Sequence, residues 1–527
     1  MKKRHLLIGL SLMALSCNED VIRDHTYDEA FDALEWGVFE LKEAYAEGSL
    51  SIFDATDLYL SRIAEMNHQG PKLNALISVN PHAREIADSL DRLYQAGKIL
   101  GPLHGIPVIL KDNIESLDSM PTTAGSRALA DNYVNRDSKV AERLRAAGAL
   151  ILGKANLSEW ANFRGQGSIS GWSGMGGFTR NPYVLSRNPC GSSAGSAVVV
   201  AAGLAPIAIG TETNGSIVCP SQTNGVVGLK PTVGFVAGEG IIPIAHSQDV
   251  AGPMAKTVAE VALVMEVLAG PDPANPAQFK AWPPQEWNFE LRVGDHLKGK
   301  SIGVYTEAIG QHPGVDSLFA QARRDLEELG AELVEIENLM PGSAGYHSYQ
   351  VMLYEYQEDL NAYFQSLGPD APIKSIEELI AFNEADSLEL LYFNQYYLEE
   401  CLKHQDSAAY KEHLAAMHRL SREKGIDLYM DSLKLDAIIA PTGSPAWQID
   451  PVNGDHHILG SSSPAAISGY PNLTVPMGFD HGLPVGISIF GNFLSEQRIL
   501  EIGAIYEKRT QHRKAPQFKG TDSELAL

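Results

Sequence analysis

The sequence predicts an α/β protein: one large domain built on a single extended β-sheet. Three observations carry this. Segments with strand character alternate with amphipathic helical segments along nearly the whole chain. The 527 residues are 44% hydrophobic and 20% charged, the balance of a globular protein with a large core. No change in composition marks a linker, and no internal repeat or low-complexity stretch divides the chain.

Taken in order, Phe31, Leu34, Val38, Leu41 and Tyr45 recur at helical spacing over residues 28–47. A second helix starts at Ser51, where Asp54 three residues on resembles a capping box, and runs to about Asn67. Residues 75–79 read as a strand, 81–95 as a helix, and 106–111 as a strand that closes on Lys111. Helix 137–147 and strand 149–153 continue the alternation, after which periodicity vanishes to about residue 180 in a stretch rich in Gly, Ser and Asn. A long irregular stretch inside a compact enzyme is more often site-forming than idle. An Ala/Val helix at 196–204, a strand at 205–209 and short apolar pieces at 225–229 and 234–236 follow. Strand 301–305, helix 314–329 and strand 331–336 form a β-α-β unit. Long helices fill 345–432, then come strand 436–440, a strand pair near 471–477 and 485–491, and a terminal helix from Glu496.

Forty-one Lys and Arg against 65 Asp and Glu leave a formal charge of −24, with no basic run, which argues against nucleic acid as a partner. Residues 1–17 read as a signal peptide: Met1-Lys2-Lys3-Arg4 supplies positive charge, Leu6 to Leu15 is apolar, and small Ser16 precedes Cys17. Ten apolar residues are too few to span a bilayer, which takes roughly 20. The arrangement is lipoprotein-like, with Cys17 as the lipidated residue, although Ala14 stands where Leu is usual; an ordinary cleaved secretory signal is the other reading. Both readings imply export to the periplasm or cell envelope, with residues 18–27 as a leader and 28–527 as the one large folded domain. No later segment has 18 consecutive apolar residues, so the only membrane contact expected is a lipid anchor.

Without Cys17 three cysteines remain, Cys190, Cys219 and Cys401, an odd number from which no disulfide framework is expected. Their spacing fits no zinc template, no His-Glu-x-x-His occurs, and the His456-His457 pair in a Gly-Asp loop reads as solvated, so neither metal nor cofactor is expected.

Three stretches stand out as candidates for the chemistry: GPLHGIPVILKDNI at 101–114, the Gly/Ser-rich run from Asn188 to Ile217, and GVVGLKPTVGFV at 225–236. Lys111 closes an apolar strand, so desolvation pushes its pKa below the free value of about 10.4 and lets it act as a base; a strand-end pair with Asp112 or another carboxylate is the alternative. Gly191 to Gly195 satisfies G-x-S-x-G around Ser193, but a polar, proline-broken loop precedes it where a nucleophile elbow needs a strand. Gly148 to Ala155 nearly matches a phosphate-binding loop, yet its middle is an apolar strand and Ala155 replaces the metal-binding hydroxyl. The turn GTETNGS at 210–216 follows a strand and gathers backbone N–H groups beside one hydroxyl, which suits a nucleophile with its oxyanion hole; a plain turn is the other reading. Together a lysine, a serine-rich loop and this serine supply base, relay and nucleophile without histidine.

That combination resembles the amidase signature hydrolases. GPLHGIPVILKDN, GKANLSEWANFRG, PCGSSAGSA, GTETNGSI, GLKPTVG, SQDVAGPM, APTGSPAW and SGYPNLTVPMGF occur in the family's order over roughly residues 50–510, and Ser192 and Ser216 stand 24 residues apart, as in the family. The resemblance implies a mixed, twisted sheet covered by helices on both faces. It also implies Lys111 as base, Ser192 as relay after a cis peptide bond from Gly191, and Ser216 as nucleophile. The N–H groups of Thr213, Asn214, Gly215 and Ser216 are implied as the oxyanion hole, Ser193 as a supporting residue and Asp249 in a structural role. Asn214 replaces a common Gly and Ala194 another. The TET-x-GSIVCP and GWSG-x-GG strings look most like the peptide amidases and less like the protein that makes glutamine available for tRNA amidation. The expected function is hydrolysis of a small-molecule or peptide amide to acid plus ammonia or amine; a non-catalytic amide-binding lipoprotein and an amidotransferase-type subunit are the alternatives. Phe163, Trp172, Met175, Tyr349, Tyr354 and Trp447 either line an apolar cleft or pack the core, and the oligomeric state has no sequence signature.

Overall fold

The computed structural model describes residues 35–270, 289, 291 and 294–521. The expected signal segment with Cys17, the expected leader and the start of the expected first helix lie outside the described residues. The strands are β1 (Leu76–Val79), β2 (Pro107–Lys111), β3 (Leu150–Ala155), β4 (Trp172–Ser173), β5 (Gly177–Phe178), β6 (Ile207–Glu212), β7 (Val227–Lys230), β8 (Val250–Ala255), β9 (Ser301–Tyr305), β10 (Glu332–Ile336), β11 (Ala437–Pro441), β12 (Asn472–Asp480) and β13 (Leu483–Phe490). Eleven of them form one mixed sheet in the order β1-β3-β2-β6-β8-β7-β12-β13-β11-β9-β10, with β4 and β5 a separate small pair. This is the single large α/β domain the alternation predicted.

Local chemistry explains the elements. Ser51 caps helix Ile52–Met66 by accepting the Asp54 N–H, as its spacing foretold. Helix Val38–Glu47 begins later than the periodicity of 28–47 implied, because Gly37 is its N-cap and residues 35–37 are not helical. The central strands β2, β3, β6, β7 and β8 are buried at every residue, so both faces are covered and their sequences read as unbroken apolar runs. Such runs hide their period. Strand β8 and helix Val258–Leu268, capped by Thr257 and Glu260, were not expected. No helix among the described residues is long and apolar enough to cross a membrane.

The topology fixes where chemistry can occur. Strand β2 runs parallel to β6, with Val108 opposite Ile207 and Leu110 opposite Ile209. Lys111 and Thr211 therefore leave the sheet at the same edge, the carboxyl ends of parallel strands, where α/β proteins bind ligands.

Candidate active site

Lys111 is fully buried, and its Nζ lies 2.7 Å from Ser192 Oγ, 2.8 Å from Thr211 Oγ1 and 3.1 Å from the Thr211 carbonyl oxygen. Burial lowers its pKa to about 7, against the opposing pull of Asp249 and Glu212. In the neutral form its two N–H groups serve Thr211 and its lone pair takes the Ser192 hydroxyl hydrogen, so every contact has a use. The alternative pair with Asp112 is not formed. Asp112 meets Lys154 at 3.9 Å and takes the Thr123 hydroxyl and N–H, while burial raises its pKa to about 6.

Ser192 follows a cis peptide bond from Gly191 and has no solvent exposure. Its carbonyl accepts the Ser158 N–H at 3.0 Å, and a Cβ at Gly191 would fall 2.1 Å from Ser158 Oγ, so only glycine fits between them. Ser193 joins the two halves of the site. Its N–H donates to the Ser216 carbonyl at 3.1 Å, its hydroxyl donates to the Thr211 carbonyl at 3.1 Å, and that hydroxyl accepts the Thr211 N–H at 3.2 Å.

Ser216 ends the turn after β6 and is 8% exposed, the one of the three residues with an opening to solvent. Its hydroxyl makes no hydrogen bond to Ser192. Gly215 before it has φ of 86°, a left-handed value glycine adopts freely. Glu212 Oε2 takes the N–H groups of Ile217 at 2.8 Å and Val218 at 3.1 Å, whereas those of Thr213, Asn214, Gly215 and Ser216 have no acceptor among the described residues. The turn thus presents unclaimed donors beside a hydroxyl, the local requirement for holding an oxyanion. Asp249 braces it: Oδ1 accepts the Thr213 hydroxyl at 2.5 Å, and Oδ2 accepts the N–H groups of Ile244 and Ala245. Its enclosed position raises its pKa to about 6. A cavity of about 440 Å³ borders Asn113, Thr211, Thr213 and Asp249, with Ile242 and Ile244 as apolar wall.

The cysteine expectation is overturned. Cys190 and Cys219 form a disulfide, and Cys401 is free and buried. Odd parity forbids complete pairing but not one bond. Most of the candidate cleft aromatics are core. Phe163 stacks on Tyr397, Tyr354 on Tyr410, Trp172 lies under the Arg164 guanidinium, and Trp447 Nε1 donates to Asp455; Tyr349 and Met175 are half-buried. His456 pairs with Asp450, and His457 packs on the Trp447 ring. His246 sits between two carboxylates, Nδ1 facing Asp359 at 2.9 Å and Nε2 facing Glu355 at 3.2 Å. Burial works against its charge, but those carboxylates prevail and bring its pKa to about 9. Opposite ring nitrogens face the two acids, the geometry of an ion-pair clasp. Reading residues alone missed Thr211, Asn113, Glu212 and Ser158; the first and third lie inside the GTETNGS turn and were legible there as polar neighbours of Ser216.

A sheet edge that presents a buried amine against one serine, beside a second serine on a donor-rich turn, can support acyl transfer without a histidine. The Amidase family profile matches residues 54–500, and the chain belongs to that family of amide hydrolases. It is 37% identical over 505 residues to a probable amidase of Arabidopsis thaliana, covering 93% of this chain and 92% of that protein. It is 36% identical over 500 residues to a glutamyl-tRNA(Gln) amidotransferase component of Symbiobacterium thermophilum, covering 90% and 97%. Among solved structures, the native peptide amidase from Stenotrophomonas maltophilia superposes with a TM-score of 0.88 at 46% identity, covering 92% of this chain and 99% of that one.

Proposed function

We propose that the protein is an exported amidase that cleaves a carboxylic amide through an acyl-enzyme, with Ser216 as nucleophile, Ser192 as relay and Lys111 as base. Ser216 Oγ bonds to the amide carbon while its proton passes to Ser192 and the Ser192 proton to Lys111; as the C–N bond breaks, the same route returns a proton to the leaving nitrogen. Water then repeats the attack and releases the acid. The N–H groups of Thr213, Asn214, Gly215 and Ser216 hold the oxyanion. The observation that carries this reading is the 2.7 Å contact between the fully buried Lys111 amine and the Ser192 hydroxyl.

Likeness to a peptide amidase favours the C-terminal amide of a peptide as substrate. The disulfide supports export, because such bonds persist in oxidising compartments. It also weighs against the amidotransferase reading, which the likeness to the Symbiobacterium protein favours, since charged tRNA is cytoplasmic. The test has two parts. A fluorophosphonate should label the wild type and not Ser216→Ala. Ammonia or amine release from N-acetyl-phenylalanyl-leucinamide, oleamide and 4-nitroacetanilide should be greatest with the first; release from none of the three, together with no labelling, would leave a non-catalytic binder.

A further inference from the structure

Asn214 is the exposed residue in an otherwise buried run from Thr211 to Ser216. An asparagine at this place carries a hazard. Its side-chain carbonyl readily accepts the backbone N–H two residues on, the Asx turn. Here that N–H is the one of Ser216, a donor the oxyanion needs. The structure shows the carbonyl otherwise engaged. Asn214 Oδ1 accepts the Ser462 hydroxyl at 2.7 Å, and Nδ2 donates to Ser463 Oγ at 3.1 Å. Both partners come from almost 250 residues further along the chain.

Their segment is itself fixed to the sheet. The Ser461 hydroxyl donates to the Pro441 carbonyl at the end of β11 at 2.7 Å, its N–H donates to the Thr442 carbonyl at 3.2 Å, and the Ser444 N–H donates to the Leu459 carbonyl at 3.1 Å. The fit to the turn is close: a Cβ added at Gly215 would come within 3.0 Å of Ser462 Oγ. A pair of hydroxyls on a segment pinned at Ser461 therefore sits against the turn and takes both ends of the Asn214 amide.

Resting on the acyl-enzyme reading above, we infer that Ser462 and Ser463 are positioning residues that hold the Asn214 carboxamide away from the Ser216 N–H and so keep the oxyanion hole open. Where a relative has glycine in place of Asn214, the hazard and the need for the clamp are both absent.

The experiment is a second-site rescue on the best-cleaved of the three amide probes. Ser462→Ala/Ser463→Ala should lower kcat by about 10²-fold, the usual effect of losing one oxyanion donor, with KM within about twofold. Ser462→Thr, which keeps the hydroxyl, should retain most of kcat. Adding Asn214→Gly to the double variant removes the competing carbonyl and should recover at least about tenfold, which no general loss of packing would allow. Circular dichroism and the melting temperature of the double variant should match the wild type. An active wild type with an unchanged kcat in the double variant, or no recovery on adding Asn214→Gly, overturns the clamp while leaving the acyl-enzyme reading in place. A wild type that cleaves no amide and takes no fluorophosphonate overturns both.

Discussion

Cys190 and Cys219 are bonded to each other, so one covalent link closes the loop that begins two residues before Ser192 and ends three residues after Ser216. Both serines of the site lie inside a ring of about thirty residues, whose opposite sides are joined again by the hydrogen bond from Ser193 N–H to the Ser216 carbonyl.

Breaking that link should loosen the site. For a loop with a sequence separation of 29, the chain-entropy model assigns about 3–4 kcal/mol of stability to the crosslink. Cys219→Ser should lose stability of that order in guanidinium unfolding, and dithiothreitol should lower the melting temperature of the wild type but not of the variant.

Activity should rise with pH. Burial sets Lys111 at about 7, so kcat/KM should climb through an apparent pKa near 7 as the amine loses its proton, and Lys111→Ala should abolish turnover. Stability has the same sign. The folded pKa lies below that of the unfolded chain, so between about pH 7 and 10.4 the unfolded state binds the extra proton and folding becomes more favourable as pH rises. Lys111→Met should flatten the slope of unfolding free energy against pH in that window by up to about 1.4 kcal/mol per pH unit.

Removal of the Ser192 hydroxyl should separate folding from chemistry. Ser192→Ala should melt close to the wild type yet acylate slowly, seen as a lost burst in rapid-quench experiments. An unchanged acylation rate would take Ser192 out of the proton route.

Arg164 should prove structural. It is fully buried, contacts Glu159 Oε1 at 2.5 Å and Glu389 Oε2 at 3.1 Å, and lies 3.9 Å from the centre of the Phe393 ring. Burial and the neighbouring Glu389 carboxyl push the Glu159 pKa well up. Removing the cation strands two acids in the core, so Arg164→Ala should cost about 3–5 kcal/mol in denaturant unfolding.

Much of this was legible in the sequence because it depends on neighbours along the chain. The capped helix from Ser51, the strand ending at Lys111 and the donor-rich turn before Ser216 are each set by a few adjacent residues. The cis bond before Ser192 came from the family resemblance and is present. What escaped depends on distance. Strand β8 is buried on both faces and shows no alternation, and Asp112 finds its charge partner in Lys154 on the adjacent strand β3. Ser462 and Asn214 share no local pattern at all, and the cysteine pair failed on an argument from parity that geometry does not respect.

The division of the site between two parts of the fold has a further consequence. Lys111, Ser192, Thr211 and Ser216 all come from the first half of the chain, around the parallel strands β2 and β6, while the residues that grip the rim, Ser462 and Ser463, and those that hold the His246 loop, Glu355 and Asp359, come from the second half. The groups of the candidate site and the residues that brace them thereby come from separate stretches of one polypeptide. An exchange of residues 344–468 between homologues would replace the serines that hold Asn214 and the carboxylates that hold His246 in one step, so its first effect should fall on kcat even though Lys111, Ser192 and Ser216 of the host are unchanged in sequence.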